Sequence, residues 1–433
     1  MKIVITAEDV NDWVYKGEGA ANLILRYQGS LPLLLGKVLR VQKVSKDETI
    51  PPMACAELSM HEQLIWANMD GLAESKSKDS LVQIYATCIM GPLLGTNHID
   101  AGVRVSVSRE FLEKVEVSTL NFRPAWRIKA SKIDTLTRSA LLISDHSVFP
   151  SNSTFSIAVE IKPKCGFLPS SEYISDENSI KKQVTRYKMH QALKLNKKQI
   201  LEESAYDPLD LFSHSNERIH KALNALYLNP QNNFRVFLNG SLIYGGMDTD
   251  TNTHDTNNSF EEIIDTSSGL NLDLPKFFEL LTEMISKSGV LNRLLETQKL
   301  DLYDIEGAIH SYYDVISKPC PLCEGIYDDG LLKKYEKLHS LPIQKSIEIV
   351  RDYLVSATAK DCCLMLSFRP REGEAPALEK YGSVGIESVD QVYDYKVFFI
   401  DLDMKPLEKM VHYYNLDQKI TNFYKQKYQK LLL

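Results

Sequence analysis

No apolar run in these 433 residues approaches the roughly 18 that a membrane span requires, so no transmembrane segment is expected. Positive charge is not in excess either. With 50 Lys and Arg against 57 Asp and Glu, the formal net charge is -7, which argues against a general electrostatic grip on nucleic acid or an anionic membrane. The seven cysteines are few, odd in number and irregularly spaced. They argue against a disulfide framework and for a reducing compartment, cytosol or nucleus. The opening MKIVITAEDVNDW carries acids early, so neither a secretory leader nor an Arg-rich transit peptide is expected. Any polyanion bound by such a chain must be held by a local cluster of cations.

At 44% hydrophobic content the chain can bury sizeable cores, and its length calls for more than one cooperative unit, most simply two lobes. The most informative stretch is Glu160-Ile161-Lys162-Pro163-Lys164, followed by Cys165 and Gly166. Phe155, Ile157, Ala158, Val159 and Ile161 predict a buried strand that ends in a carboxylate and two lysines held apart by a proline. On a strand, Glu160, Lys162 and Lys164 share one face, and Pro163 limits further pairing. Two ammonium groups in register can share a polyanion, and the carboxylate can accept from a sugar hydroxyl. The alternative is an edge strand with solvated lysines.

Upstream, strands are expected over 13–16, 23–27 and 33–41, the first two joined by Gly17-Glu18-Gly19-Ala20-Ala21-Asn22. Hairpins with two glycines are common, but such a loop can also cover nucleotide phosphates, because small residues leave backbone N–H groups accessible. Lys37 and Arg40 fall on opposite faces of the third strand, so only one enters a cleft below the loop. Helices are expected over 54–68 and 80–89, and strands over 103–106, 126–129 and 139–143. The polar stretch Ser144, Asp145, His146 and Ser147, continued at 150–153, marks the boundary between lobes. Beyond it the pattern predicts a basic helix over 178–195 and a strand over 234–238, introduced by Gln231, Asn232 and Asn233. A polar insertion at 247–258 is expected to be mobile. Helices over 275–296, 302–315 and 342–358, strands over 362–368 and 396–400, a loop at 371–390 and a last helix from about Leu407 complete the chain.

Three constellations carry chemistry. Cys320 and Cys323 form a two-cysteine knuckle, with His310 ten positions before it and His339 sixteen after. Two thiols and two imidazoles suit a closed, structural zinc site; the alternative is two buried thiols with unrelated histidines, and the proline within the knuckle favours zinc. Asp401 and Asp403 follow the apolar run Val397, Phe398, Phe399 and Ile400, on one face, where hard oxygens suit Mg²⁺ bridging phosphates. Asp403 is also placed to cap a helix starting near Pro406. Asp361 stands between a helix and a buried strand, where a carboxylate can take a proton from an attacking hydroxyl or simply turn the chain.

Taken together, GEGAAN, KVLRVQK, EIKPKCGF, RYKMHQ, DPLDLF, PQNNFRVFLNGS, the Cys/His set, TAKDC and FIDLDMKPL resemble the inositol-pentakisphosphate 2-kinases of plant type, in order from Gly17 to Tyr413. The resemblance implies an α+β, two-lobed kinase-like fold. Its smaller β-rich N-terminal lobe would span 1–143, the hinge 144–154, and the larger C-terminal lobe with the zinc 155–433. It implies transfer of the ATP γ-phosphate to the 2-hydroxyl of inositol 1,3,4,5,6-pentakisphosphate, with Mg²⁺. Gly19, Ala20, Ala21 and Asn22 would cover the ATP phosphates, with Arg40 reaching them from the third strand. Ser144, Asp145 and His146 would meet adenine, and Glu160 the ribose. Arg235 and Lys162 would serve the transferring phosphate, Asp401 the Mg²⁺, and Asp361 would act as base. Arg127, Lys164, Lys188, Asn232, Asn233, Lys405, Lys409 and Tyr413 would hold the inositol phosphates. Five phosphates at about -1.5 to -2 each carry roughly -8 to -10, which the cations above plus Mg²⁺ largely balance.

Plant members of that family carry Gly at Ala20, Arg at Ser45 and Arg at Lys409. Lysine at 409 keeps the charge without the bidentate fork, and Ser45 removes a cation that Lys43 or Lys46 would have to replace. A monomer is expected, with no nucleic-acid or membrane partner. The competing reading is a noncatalytic inositol-polyphosphate receptor on the same scaffold, disfavoured by the intact Asp361, Asp401 and Asp403. A kinase of membrane inositides is disfavoured by the net negative charge.

Overall fold

The computed structural model describes residues 3–47, 58–69, 71–75, 77–149, 155–245, 272–324, 329–371, 381–386 and 389–429. Two mixed and antiparallel sheets carry the chain. The first is built from β1 (Val4–Ile5), β2 (Trp13–Glu18), β3 (Asn22–Tyr27), β4 (Lys37–Ser45), β5 (Val103–Val107), β6 (Ser131–Ile133) and β7 (Ser139–Ser144). Its order is β1-β5-β7-β4-β3-β2, with β6 also on β4, and only β1 and β5 run parallel. Leu23, Leu25, Leu39, Val41, Val105 and Val107 pack one face of it against Phe111, Leu112 and Val115 of the helix Arg109–Thr119. That helix starts where Ser108 Oγ accepts the Phe111 N–H.

The second sheet contains β8 (Ile157–Ile161), β9 (Phe234–Leu238), β10 (Ser241–Tyr244), β11 (Cys363–Pro370), β12 (Gly382–Ile386) and β13 (Val389–Ile400), in the order β10-β9-β8-β11-β13-β12. All its pairings are antiparallel. Val159, Ile161, Leu364, Leu366 and Phe368 face a large core with the helices Leu274–Ser288, Val290–Gln298, Asp304–Val315 and Ile343–Ala359. The opposite face carries a small apolar floor of Ala158, Phe237 and Met365. The stretch between β4 and β5 buries Ile65, Trp66, Tyr85 and Met90 in this larger core, so the first sheet's own insertion packs against the second sheet's helices.

Several elements differ from the sequence pattern for local reasons. Residues 126–129, expected as a strand, lie in the helix Ala125–Ala130: Pro124 turns the chain and its carbonyl takes the N–H groups of Arg127 and Ile128 at 2.9 and 3.0 Å. Four residues are too few to tell period 2 from 3.6. The strand expected over 33–41 starts only at Lys37, after Gly36 turns with φ +67°, and runs on to Ser45. The helix expected over 275–296 is two helices, split at Gly289 with φ +64°, a left-handed helix stop. The basic helix expected over 178–195 is a 3₁₀ turn (Asp176–Lys182) followed by the helix Arg186–Asn196, capped where Thr185 Oγ accepts the Lys188 N–H at 3.3 Å. Within 371–390, expected as loop, β12 and the start of β13 pair. The insertion at 247–258 and the boundary residues 150–153 lie outside the described residues. Among the described residues no helix is long and apolar enough to cross a membrane.

That 3₁₀ turn directs Lys181 into a buried ion cluster. Its ammonium meets Asp304 Oδ1 at 2.5 Å, Glu306 Oε1 at 3.0 Å and Asp417 Oδ2 at 2.7 Å, with all four side chains at most 10% exposed. Arg186 adds a contact to Asp417 at 3.1 Å. The cluster ties the C-terminal helix Lys409–Gln429 to the helix Asp304–Val315. Burial raises the Asp304 carboxyl even beside Lys181. Lys181→Met leaves three buried carboxylates with only Arg186 to compensate them, and chemical denaturation should show a loss of about 3–5 kcal/mol. A stability within about 1 kcal/mol of the parent would contradict a tie of this kind.

Candidate active site

The antiparallel register of three strands brings the chemical motifs together. Leu364 pairs with Ile161 and Cys363 with Ile400, so the end of β8, the start of β11 and the end of β13 lie at one edge of the sheet. Lys162 and Lys164 leave β8 there, Asp361 enters β11 there, and Asp401 and Asp403 follow β13 there. On β8 itself Glu160 alternates with Ala158 onto the face of the small floor, and its cross-strand neighbour is Arg235. The guanidinium donates to both carboxylate oxygens, at 3.0 and 3.3 Å.

Beyond Ile161 the ladder ends in one rung, Lys162 N–H to Asn233 O at 2.9 Å. Pro163 offers no N–H, and Lys164 takes φ +61°. The two lysines therefore do not share a strand face as the alternation predicted; Lys164 arrives through a left-handed turn. Buried Gln298 clasps that turn, donating to Lys164 O at 2.8 Å and Ala359 O at 3.2 Å and accepting the Gly166 N–H at 2.9 Å. A left-handed lysine costs on the order of 1 kcal/mol, and these bonds hold it there. Asp401 is left-handed as well, with φ +61°.

Lys405 Nζ donates to Asp361 Oδ2 at 2.9 Å, Lys164 Nζ lies 3.9 Å from Asp361 Oδ1, and Lys162 Nζ lies 4.0 Å from Asp401 Oδ2. The Cys363 thiol approaches Asp401 Oδ2 at 3.4 Å. The acids project and the cations are embedded: the Asp361 and Asp401 side chains are 54% and 63% exposed, those of Lys162, Lys164 and Lys405 about a fifth. Burial alone would raise the Asp361 carboxyl, but Lys405, Lys162 and Lys164 hold it below the usual carboxylate range. Burial and the neighbouring Lys162 push the Lys164 ammonium down to about 8. Burial works against Lys162 too, yet the surrounding acids Asp361, Asp401 and Glu160 keep its pKa raised. The arrangement is an ionised, accessible carboxylate at the mouth of a cationic pocket. It can accept a proton while the lysines bind anions.

Asp403 does not cap the last helix, which begins at Lys409. Both its oxygens accept from Arg40 Nη2 of β4, which joins the two sheets. The amide of Asn22, at the start of β3, faces the same guanidinium, and with its oxygen turned there it accepts from Nη2 at 2.6 Å and Nε at 3.1 Å. Arg40 thus stands below the Gly19, Ala20, Ala21 loop, on the face the sequence pattern assigned to one of Lys37 and Arg40. Ser144 closes β7, while Asp145 takes Lys16 at 2.9 Å and His146 stacks on Phe398 at 3.8 Å. The backbone is engaged as well: Ser144 N–H donates to Asp100 Oδ2 at 3.0 Å and Asp145 N–H to the Gly36 carbonyl at 2.7 Å.

Tyr413 is half-buried beside Lys405 and Asp361, and both charges act on its phenol. Lys409 is exposed one helical turn earlier. Asn233 donates to Tyr187 OH at 3.3 Å while its buried Oδ1 has no partner among the described residues; Asn232 beside it is half-exposed. Arg127 lies on the first sheet's side, stacked on Trp126 at 4.1 Å, and no contact joins it to the Asp361 group among the described residues. Lys188 is exposed, and it is Lys194 that adds its charge to the surroundings of Lys164. Arg186, His190 and Lys194 follow at i, i+4 and i+8, a helical stripe that the sequence does contain. Burial with Arg186, Lys194, Lys164 and Lys197 pushes His190 down to about 3. Lys43 does not replace the cation missing at Ser45. It is buried and salt-bridged to Glu18, whereas Lys46 is exposed.

Away from this edge, His310, Cys320, Cys323 and His339 converge, their donor atoms all within 4.8 Å of one another. His310 Nδ1 lies 3.2 Å from His339 Nε2 and 3.4 and 3.5 Å from the two sulfurs, and Cys323 Sγ lies 3.3 Å from His339 Nε2. A tetrahedron with metal–nitrogen bonds of about 2.0–2.1 Å and metal–sulfur bonds of about 2.3 Å has N–N edges of roughly 3.3 Å, N–S edges of roughly 3.6 Å and an S–S edge of roughly 3.8 Å. His339 Nδ1 faces Asp314 Oδ1 at 2.6 Å, the carboxylate–imidazole contact that fixes a ligand's tautomer.

A family model described as inositol-pentakisphosphate 2-kinase matches residues 15–419. The chain is 58% identical to an inositol-pentakisphosphate 2-kinase of Oryza sativa subsp. indica over 98% of its own length and 96% of the relative's. It is 48% identical to that of Arabidopsis thaliana over 99% and 96%, and 28% identical to that of Danio rerio over 96% and 93%. With Asp361 ringed by lysines at the shared edge of three strands, and with these matches spanning nearly its whole length, the chain belongs to the inositol-pentakisphosphate 2-kinase family.

Proposed function

We propose that the protein transfers the γ-phosphate of ATP to the 2-hydroxyl of inositol 1,3,4,5,6-pentakisphosphate, giving inositol hexakisphosphate. The observation that carries this is the Asp361 carboxylate, kept ionised yet more than half exposed among Lys162, Lys164 and Lys405. In this reading residues 1–143 and 155–433 are the two lobes of a kinase-like fold and 144–154 the hinge. ATP lies between the sheets, its adenine at the segment Ser144, Asp145 and His146 and its ribose near Glu160. Its phosphates lie under Gly19, Ala20, Ala21 and Asn22, within reach of Arg40, Arg235 and Lys162.

Asp361 accepts the hydroxyl proton as the oxygen attacks. Lys164, Lys405, Tyr413, Asn232 and Asn233 hold the inositol phosphates, with Lys194 joining from the basic stripe. Arg127, Lys188 and Lys409 complete the set only where the substrate reaches them. Asp401, exposed and held by a weak thiol donor and a lysine at 4.0 Å, suits a hard cation such as Mg²⁺. Asp403 would join it only by releasing Arg40. When bound, Mg²⁺ neutralises charge on the transferring phosphoryl group.

The direct test is ADP release from Mg-ATP across inositol phosphates with and without a free 2-hydroxyl. Turnover is expected only where that hydroxyl is free and its neighbours are phosphorylated. Tight pentakisphosphate binding with no ADP formed would overturn the kinase reading in favour of a receptor.

We further infer that His310, Cys320, Cys323 and His339 hold one structural Zn²⁺, because four of their donor-atom separations lie near tetrahedral edges and no fifth ligand joins them among the described residues. Metal analysis of the full chain purified in reducing buffer should give about one zinc per chain. Cys323→Ser should lose most of it and melt at lower temperature. A folded, metal-free parent chain with the same melting temperature would rule the site out.

A further inference from the structure

Lys43 lies in β4, three residues after Arg40, so the two side chains leave opposite faces of the first sheet. Leu39 and Val41 mark the face of Lys43, packed toward Phe111 and Leu112. Arg40 and Gln42 mark the other, where Arg40 meets Asp403 and Gln42 meets Asp79. The Lys43 side chain is fully buried and salt-bridged to Glu18, and it donates to the Gly19 carbonyl at 2.7 Å. Arg123 holds the same carboxylate at 2.9 and 3.2 Å and is itself completely buried. Further bonds close the loop's base: Lys43 N–H to Ala21 O and Gly19 N–H to Asn22 O, both at 2.9 Å.

A trans peptide is planar, with its C=O and N–H pointing in opposite directions. A Gly19 carbonyl drawn toward Lys43 therefore turns the Ala20 N–H toward the Arg40 face. A Cβ at Gly19 would meet nothing within 4 Å, so the position has room for a side chain. The buried ammonium is a donor to its carbonyl.

We propose that Lys43 is a positioning residue for phosphoryl transfer: by holding the Gly19 carbonyl on the covered face of the sheet, it presents the Ala20 N–H to the nucleotide phosphates on the Arg40 face. Lys43 touches no substrate. The proposal rests on the ATP-binding reading above and adds the origin of the loop's donor geometry. A preset donor costs no reorganisation when the phosphates arrive. The same triad anchors the segment carrying Arg127, since Arg123 precedes it by one turn and donates to Ser131 O at 3.1 Å.

The test uses the full chain and two probes, Mg-ADP and adenosine, titrated against the parent, Lys43→Met and Lys43→Arg. In Lys43→Met, Arg123 still compensates Glu18, so the fold should persist. The expected result is Mg-ADP affinity lowered about tenfold, the loss of one charge-set donor, with adenosine affinity within about twofold. Lys43→Arg, which can still donate to the carbonyl, should restore most of the difference. If Lys43→Met does not fold, Lys43→Leu, which likewise has no donor, reads the same ratio of adenosine to Mg-ADP affinity. An unchanged ratio, with both probes weakened alike or not at all, overturns the positioning role. A parent chain that binds neither probe overturns the nucleotide reading itself.

Discussion

The antiparallel pairing of β8 with β11 and of β11 with β13 is the constraint on which the site depends. It fixes Ile161 opposite Leu364 and Ile400 opposite Cys363, and so assembles, at one sheet edge, residues separated by more than two hundred positions. A slip of one residue in the β8–β11 pairing would turn Glu160 into the core and Ile161 out of it. The apolar side chains between the charged ones, Val159, Ile161, Leu364 and Leu366, keep that register by filling the large core. Site and core are two faces of the same strands.

At this edge charge is balanced rather than accumulated. A protein of net charge -7 holds Lys162, Lys164 and Lys405 together because Asp361 and Asp401 sit among them. The acids offset lysine repulsion in the free protein and keep the ammonium groups oriented. An arriving polyanion replaces part of that compensation. Arg40 and Asp403 play the same part between the two sheets, and Glu18, Lys43 and Arg123 within the first. In each case a cation assigned to ligand or to loop is held by a carboxylate from another element.

Much of this was legible in the sequence because it rests on local pattern. The run before Glu160 and the runs ending at Phe368 and Ile400 are apolar enough to be strands in any context, and the Cys/His spacing picked out four side chains that do converge. What escaped depends on backbone or tertiary detail. A left-handed Lys164 cannot be read from its identity. The Arg40–Asp403 pair exists only once the sheets face each other. Lys188 stood in a recognisable motif, whereas Lys194 was marked only by its i+4 spacing from His190. Lys43 read as a spare cation because nothing local shows that Glu18 and the Gly19 carbonyl already hold it. The segment around Trp126 and the glycine-bearing β12 were too short or too weakly patterned to assign.

If the carboxylate at this edge accepts the substrate's hydroxyl proton, its basicity should matter to turnover and not to binding. The most direct measurement is turnover and pentakisphosphate affinity of Asp361→Asn, which keeps the side chain's shape and removes its basicity. Affinity is expected within about threefold of the parent, or tighter with one negative charge gone, and turnover lower by about 10²–10⁴. Turnover within tenfold of the parent would contradict it, and would leave the lysines around Asp361 as a binding site whose chemistry lies elsewhere.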